Sequence, residues 1–361
     1  MSKRFPFLAA SLFVVVAIAL GACTPAATEA PATPTSPPEP TAVPEPAIGS
    51  PEHPIKVLFV PSVDANIIVA GGEIMAAALN EATGLTFEVS VPTSYAAVIE
   101  EMCASPTDTI GFIPGLTYAI GSQTCGIDVA FKAVRFGFDV YWAQVLVARD
   151  SEIDDLSDLE GLKWGYGDVS STSGYMVPLV MLQEAGVTPG EEVQTGGHNQ
   201  SAQAIYNGEV DFATTFYSPP TLVDTGEVVW EEGQDPEVPA DVIDSCGLNA
   251  DGNLVCGNYR VRDARANIRE ASPDVIQKVR ILSVSDPIPN DTLSFGPEFP
   301  ADLRAQLEAA LVAFAGTEEW AASIGSQDFY NWTGIAPATD EEYDFIRAMI
   351  TATGMSLEDF R

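Results

Sequence analysis

Short apolar strands alternate with helices twice along this chain, and few folds accommodate such a rhythm. Ile55 to Val60 (I-K-V-L-F-V) reads as a buried strand closed by Pro61 and Ser62, and a helix follows from about Ala65 to Ala82, stopped by Gly84. Leu85 to Val91 alternates as a second strand, Ser94 caps a helix over Tyr95 to Met102, and Thr109 to Ile113 is a third strand ending at Pro114-Gly115. Leu116 to Ile120 begins another helical turn. Strands and helices joined this closely argue for a parallel sheet covered by helices on both faces. Val129 to Val134 and Tyr141 to Ala148 are further strands, the second long enough to leave one lobe and enter another.

From Ser157 the rhythm restarts. A short helix precedes a strand at Lys163 to Gly167, then come a weak strand at Glu192 to Thr195, a helix at Ser201 to Asn207 and a strand at Val210 to Phe216. Residues from about 219 to 263 interrupt the rhythm with acids, Pro and Gly, and read as an insertion on the second lobe. Val275 to Val284 brings a strand back, Ile288-Pro289-Asn290-Asp291 crosses toward the first lobe, and the tail is helical over Ala301 to Ala315, Thr317 to Ile324 and Asp340 to Thr353. The expected architecture is α/β, with one lobe of 55–147 and 289–361 and another of 148–288. Each lobe is a mostly parallel sheet flanked by helices, and the cleft between them opens at strand C-terminal ends, where open α/β sheets bind ligands.

The stretch Lys163 to Gln183, K-W-G-Y-G-D-V-S-S-T-S-G-Y-M-V-P-L-V-M-L-Q, carries the chemistry. A strand runs into Ser170, Ser171, Thr172 and Ser173, and after Gly174 an apolar run is long enough for a helix. The first N–H groups of a helix lack intrahelical partners and its dipole is positive there, so hydroxyls at that point make an anion site. One Ser or Thr would serve as an N-cap; four in a row exceed that need.

The N-terminus reads as a targeting segment over residues 1–22, with Lys3 and Arg4 ahead of an apolar run from Phe5 to Leu20. Leu20-Gly21-Ala22-Cys23 resembles a lipobox, which makes Cys23 the expected lipidated first residue of the mature protein. Residues 23–54 are rich in Pro, Ala, Thr and Glu and read as an extended tether. The expected location is extracytoplasmic, in the periplasm or on the outer face of the cytoplasmic membrane, with the membrane reached by the lipid anchor alone. The other cysteines fit an oxidising compartment: Cys103 with Cys125, and Cys246 with Cys256 around an Asp251-Gly252 turn, are the expected disulfides. Net charge is −35, and without Lys3 and Arg4 the chain carries 51 acidic against 14 basic residues. That excess argues against nucleic acid, whose phosphates need clustered cations. It does not exclude a small anion, because distant surface charge is screened over roughly 8 Å at physiological salt.

Several stretches together resemble one family, the substrate-binding proteins of phosphate/phosphite/phosphonate ABC importers. They are Thr93-Ser94-Tyr95-Ala96-Ala97-Val98-Ile99, Ser171-Thr172-Ser173-Gly174-Tyr175-Met176-Val177-Pro178, Gly197-His198 with Ala202, Gly208-Glu209-Val210-Asp211 and Ile288-Pro289-Asn290-Asp291. The resemblance implies the two-lobed type II periplasmic-binding-protein fold. It implies that Ser171, Thr172 and Ser173 hold an oxyanion, that Tyr95 reaches it from the first lobe and His198 from the second, and that Asp291 stands at the hinge side. Ile113-Pro114-Gly115 departs from the aromatic often found before the first-lobe glycine. Relatives that hold an aminoalkyl phosphonate use a carboxylate soon after the V-D strand; here Thr214-Thr215-Phe216-Tyr217-Ser218 has none, which disfavours an ammonium-bearing ligand.

The expected protein is therefore a monomeric receptor that captures a phosphorus oxyanion and delivers it to an ABC permease. Another anion such as a sulfonate, or a sensing role, are the alternatives within the binding class. A hydrolase using the same cradle would need a base and nucleophile or a metal set. His53 falls in the tether and His198 is then the one histidine of the folded part, so neither metal nor cofactor is expected.

Overall fold

The computed structural model describes residues 46–354 and residue 359. The leader, Cys23 and the tether as far as Glu45 lie outside the described residues. β1 (Ile55–Phe59), α1 (Ala65–Thr83), β2 (Phe87–Ser90), α2 (Tyr95–Ala104), β3 (Thr109–Ile113), α3 (Gly115–Cys125) and β4 (Asp128–Val134) follow the order read from the sequence. Local chemistry sets their limits. The Asp64 carboxylate accepts from Asn66 N–H at the start of α1, and Gly84 ends that helix at φ +74°, a conformation glycine adopts without steric cost. The Ser94 hydroxyl accepts from Ala97 N–H at the start of α2.

After a turn at 135–139 come β5 (Val140–Ala148), β6 (Lys163–Tyr166), α4 (Val177–Glu184), β7 (Glu191–Gln194), α5 (His198–Asn207) and β8 (Phe212–Tyr217). Four short strands, β9 (Thr221–Leu222), β10 (Gly247–Leu248), β11 (Leu254–Cys256) and β12 (Tyr259–Arg260), form a small sheet of their own in the segment that broke the rhythm. The chain then forms α6 (Val275–Lys278), β13 (Val279–Val284) and β14 (Ile288–Pro289), and returns through β15 (Thr292–Phe295), α7 (Ala301–Phe314), α8 (Glu318–Ala322), β16 (Gly334–Pro337) and α9 (Asp344–Thr353).

Two six-stranded sheets organise these elements. The first has the order β16-β4-β15-β3-β1-β2, and the second runs β13-β5-β8-β6-β7 with β14 also paired to β5. Helices cover both, giving the two-lobed α/β arrangement. The βαβ units supply the parallel pairs β1–β2, β1–β3, β6–β7 and β6–β8, while β5 and β15 run antiparallel to their neighbours. The sheets are thus mixed rather than mostly parallel, because a strand that enters a lobe from the other one arrives without a crossover helix.

Several limits differ from the sequence reading. β5 pairs only with strands of the second sheet, so the chain crosses before Val140 and not after residue 147. The tether reading ran to Pro54, but Gly49 N–H donates to His53 O and the His53 ring bonds the Asp108 carboxylate at 2.8 Å, which docks this segment on the first lobe. Val275 to Lys278 form a helical turn ahead of β13. β16, a G-I-A-P edge strand, was not foreseen; proline is tolerated there because an edge leaves one row of N–H groups unpaired. Both expected disulfides are present, Cys103–Cys125 tying α2 to α3 and Cys246–Cys256 closing the β10–β11 hairpin. Among the described residues no helix is long and apolar enough to cross a membrane.

Candidate functional site

Where the two lobes face each other lies a cavity of about 50 Å³. One water needs roughly 10–15 Å³ on this measure, so there is room for a small molecule of a few heavy atoms. Val60, Ser62 and Val63 follow β1, Ile113 and Pro114 end β3, and Tyr95 opens α2. The second lobe contributes Ser171 and Ser173 from the turn after β6, His198 from the first position of α5, and Phe216 from β8. Arg135 and Asp291 come from the two crossings, and Gln327 to Asn331 bring a loop from the tail, of which Phe329 and Tyr330 are walls.

The serine turn is shaped by its own sequence. Ser170 N–H donates to the Asp168 carboxylate at 2.7 Å, and Ser171 Oγ accepts from Gly174 N–H at 3.1 Å. Thr172–Met176 then winds as a π-turn into α4, a distortion that recurs at functional sites. Glycine is required twice by close approach. A Cβ on Gly167 would lie 2.9 Å from Gly197 Cα, and one on Gly174 would lie 2.8 Å from Ser171 Oγ. The two backbones meet at Gly167–Gly197, which brings the serine turn beside the N-terminus of α5 and so beside His198.

The buried phenols stay protonated at neutral pH and can donate. Burial raises the Tyr95 phenol well above its usual range, and also raises Tyr141, whose oxygen lies against the Ser173 and Thr172 hydroxyls. Tyr330 is committed, donating to Val60 O at 2.6 Å. Burial lowers His198 to about 4, outweighing the nearby Asp291 carboxylate, so at neutral pH the ring is uncharged and offers one N–H. Its Nδ1 is buried with no partner among the described residues, and Phe216 packs edge-on against the ring at 5.2 Å. Asp291 is not alone: Arg135 Nη2 donates to its Oδ2 at 2.5 Å.

Of the residues singled out from the sequence, Tyr95, Ser171, Ser173, His198 and Asp291 meet on this cavity. Thr172 does not line it; its Oγ1 accepts from Leu116 N–H at 2.9 Å, a bond from the first lobe to the second. Arg135, Tyr141 and Tyr330 were not anticipated. The signal for Arg135 was weak but present: a basic residue in a strongly acidic chain, just past the end of a strand next to a crossing. Other bonds also span the lobes. His198 N–H donates to Ser62 O, the Asp168 carboxylate accepts from Tyr95 N–H, and Arg269 grips Asp328 with two bonds at 2.7 and 3.1 Å. The lobes are closed on the cavity. Among the described residues no group of His, Cys, Asp or Glu is arranged to hold a metal ion.

The family profile described as ABC transporter, phosphonate, periplasmic substrate-binding protein matches residues 57–343. The chain is 26% identical over 326 residues to the phosphate-import protein PhnD of Mycolicibacterium smegmatis, covering 85% of this chain and 88% of that protein. It is 31% identical over 118 residues to the phosphonates-binding periplasmic protein of Escherichia coli, a match limited to 28% of this chain and 34% of that one. PhnD1 from Prochlorococcus marinus, solved in complex with methylphosphonate, superposes with a TM-score of 0.61 at 13% identity over 84% of this chain and 98% of that one. A binding component of an ABC phosphonate transporter from Pseudomonas aeruginosa gives 0.61 at 17% identity, over 82% and 84%. At these identities the solved structures establish a shared fold, that of type II periplasmic binding proteins.

Proposed function

The chain belongs to the family of periplasmic substrate-binding proteins of phosphonate ABC transporters, and on that premise we propose that its cavity captures a small phosphorus oxyanion without a cationic tail and delivers it to a membrane permease. Phosphite, methylphosphonate and phosphate are the ligands of this description. The observation that carries the reading is the convergence of Tyr95, Ser171, Ser173 and neutral His198 as donors on one cavity of about 50 Å³. Hydrogen-bond donors fixed around an anion in a partly desolvated site are worth more than the same groups in water. The size fits a central atom with three or four substituents, and Phe216, Ile113 and Val60 offer apolar contact to a hydrogen or methyl on phosphorus. No carboxylate other than Asp291 lines the wall, and Arg135 neutralises its charge, so no unbalanced negative charge is left to hold an ammonium group.

Each residue then has a role. Ser171 and Ser173 donate hydroxyls to the oxyanion, Tyr95 donates from the first lobe and His198 from the second. Thr172 acts indirectly by holding α3 of the first lobe. Asp291 accepts a hydrogen bond from a protonated oxygen of the ligand, which monoprotonated phosphorus oxyanions carry near neutral pH and sulfate lacks. Cys23 carries the lipid, residues 24–45 are the tether, and the protein works as a monomer on the outer side of the membrane. Closure of the lobes gives the permease a shape to recognise. A thermal-shift titration tests the capture step. The melting temperature should climb with phosphite and with methylphosphonate, by the equivalent of about 2.7 kcal/mol at one hundred times Kd. No shift with any phosphorus oxyanion up to about 10 mM, far above the micromolar Kd of a useful receptor, would overturn the reading.

A further inference from the structure

Arg135 directly follows β4 and Asp291 directly precedes β15, so each stands in one of the two crossings between lobes. The guanidinium is fully engaged on one side. Nε donates to Tyr330 O at 3.1 Å, Nη1 to the Asn290 side-chain oxygen, and Nη2 to Asp291 Oδ2 at 2.5 Å. Its carbon sits 5.5 Å from the Tyr141 ring centroid, and the side chain is 11% exposed. Asp291 Oδ1 has no partner among the described residues, and Asp291 lines the cavity. No lysine and no other arginine reaches the wall. An unpaired carboxylate there would oppose every anion, because like charges a few ångströms apart in a partly desolvated site repel strongly.

We propose that Arg135 is a specificity-determining positioning residue: it neutralises Asp291 through Oδ2 and so leaves Oδ1 free to read a proton on the ligand. The inference rests on the oxyanion reading above and extends it to how the site tells one anion from another. The couple presents no net charge, so a monoanion bearing P–O–H donates to Oδ1 and meets donors elsewhere. Sulfate brings no proton, and its oxygen faces Oδ1 in repulsion. Charge and selectivity thereby reside in two different residues, which a purely structural strut between the crossings would not produce.

Calorimetric titration of phosphite and sulfate into the full chain carrying Cys23→Ser separates these roles. Arg135→Gln exposes the carboxylate charge and should weaken phosphite about 30-fold, equivalent to about 2 kcal/mol, and sulfate more. Asp291→Asn leaves the guanidinium unopposed and should strengthen sulfate about tenfold, with a smaller loss for phosphite. The double variant Arg135→Gln/Asp291→Asn is neutral again: phosphite should return to within about fivefold of wild type while its advantage over sulfate is gone. Arg135→Lys keeps the charge and should keep the discrimination, which guards against a variant that merely folds badly. Equal losses for both anions in Arg135→Gln, with no recovery in the double variant, would make Arg135 a strut and overturn the inference, as would an Arg135→Gln protein that binds like wild type. If wild type binds no phosphorus oxyanion, the underlying reading fails instead.

Discussion

Ser171, Thr172 and Ser173 of the serine turn do different jobs, and removing their hydroxyls singly should produce three different phenotypes. Ser173 is buried, lines the cavity and lies against Tyr141, with no part in capping the turn. Ser173→Ala should therefore cost one hydrogen bond to a charged ligand, about 1.5–3 kcal/mol, or roughly 10- to 150-fold in Kd, with little change in melting temperature. Ser171 lines the same wall but also accepts from Gly174 N–H at 3.1 Å. Ser171→Ala should lose comparable affinity and about 1 kcal/mol of stability besides, the usual value of a lost N-cap. Thr172 touches no ligand in this account. Its bond to Leu116 N–H belongs to the closed arrangement, so Thr172→Ala should weaken binding by about 1–2 kcal/mol by disfavouring closure, and Thr172→Ser should restore it. Isothermal titration with methylphosphonate, paired with thermal melts of the ligand-free proteins, reads both quantities. A Ser173→Ala protein within twofold of wild type would refute the assignment of that wall. So would a Thr172→Ser protein as weak as Thr172→Ala.

Other consequences follow from the same geometry. His198 has a folded-state pKa of about 4 against an ordinary 6.5, so the unfolded chain takes up the proton first. The stability held above pH 6.5 should fall by about 3 kcal/mol as pH drops to about 4; urea midpoints at pH 7 and 4.5 should show this in wild type, and an equal drop in His198→Gln would assign it elsewhere. Arg269 grips Asp328 across the lobes while its Nε donates to Gly252 O at the tip of the disulfide hairpin. Because Asp328 is half-exposed, Asp328→Asn should cost only about 1 kcal/mol of closure. That predicts a several-fold higher ligand concentration for half-maximal compaction by small-angle scattering; an unchanged midpoint would remove this pair from the closing contacts. Cys23→Ser should abolish fatty-acid labelling and leave ligand affinity intact, and continued labelling would refute the lipid attachment.

What the sequence made legible was mostly local. β1 is apolar at every position but Lys56 because both its faces are covered, and α2 begins where Ser94 can cap it. The serine turn announced itself through four hydroxyls and a glycine, and the disulfides through spacing and a turn signal. What stayed hidden depends on distant pairs. Arg135 and Asp291 are 156 residues apart, so nothing near either one says that the acid is neutralised. Thr172 resembles its neighbours in sequence, yet a backbone N–H from the first lobe claims its oxygen. The antiparallel direction of β5 and β15 depends on which sheet receives them, and the ordering of residues 46–54 depends on an aspartate at 108 meeting His53. Periodicity and composition carry none of these.

If the proposed function holds, this cavity selects a phosphorus oxyanion by its protons and its lack of a cationic tail. Competition calorimetry on the wild-type protein tests it most directly, with methylphosphonate, sulfate and aminoethylphosphonate in one series at neutral pH. Methylphosphonate should bind at least about 100-fold more tightly than either competitor, a gap of about 2.7 kcal/mol. Sulfate bound as tightly as methylphosphonate would contradict the role of Asp291, and aminoethylphosphonate bound most tightly of the three would contradict the account of the cavity walls.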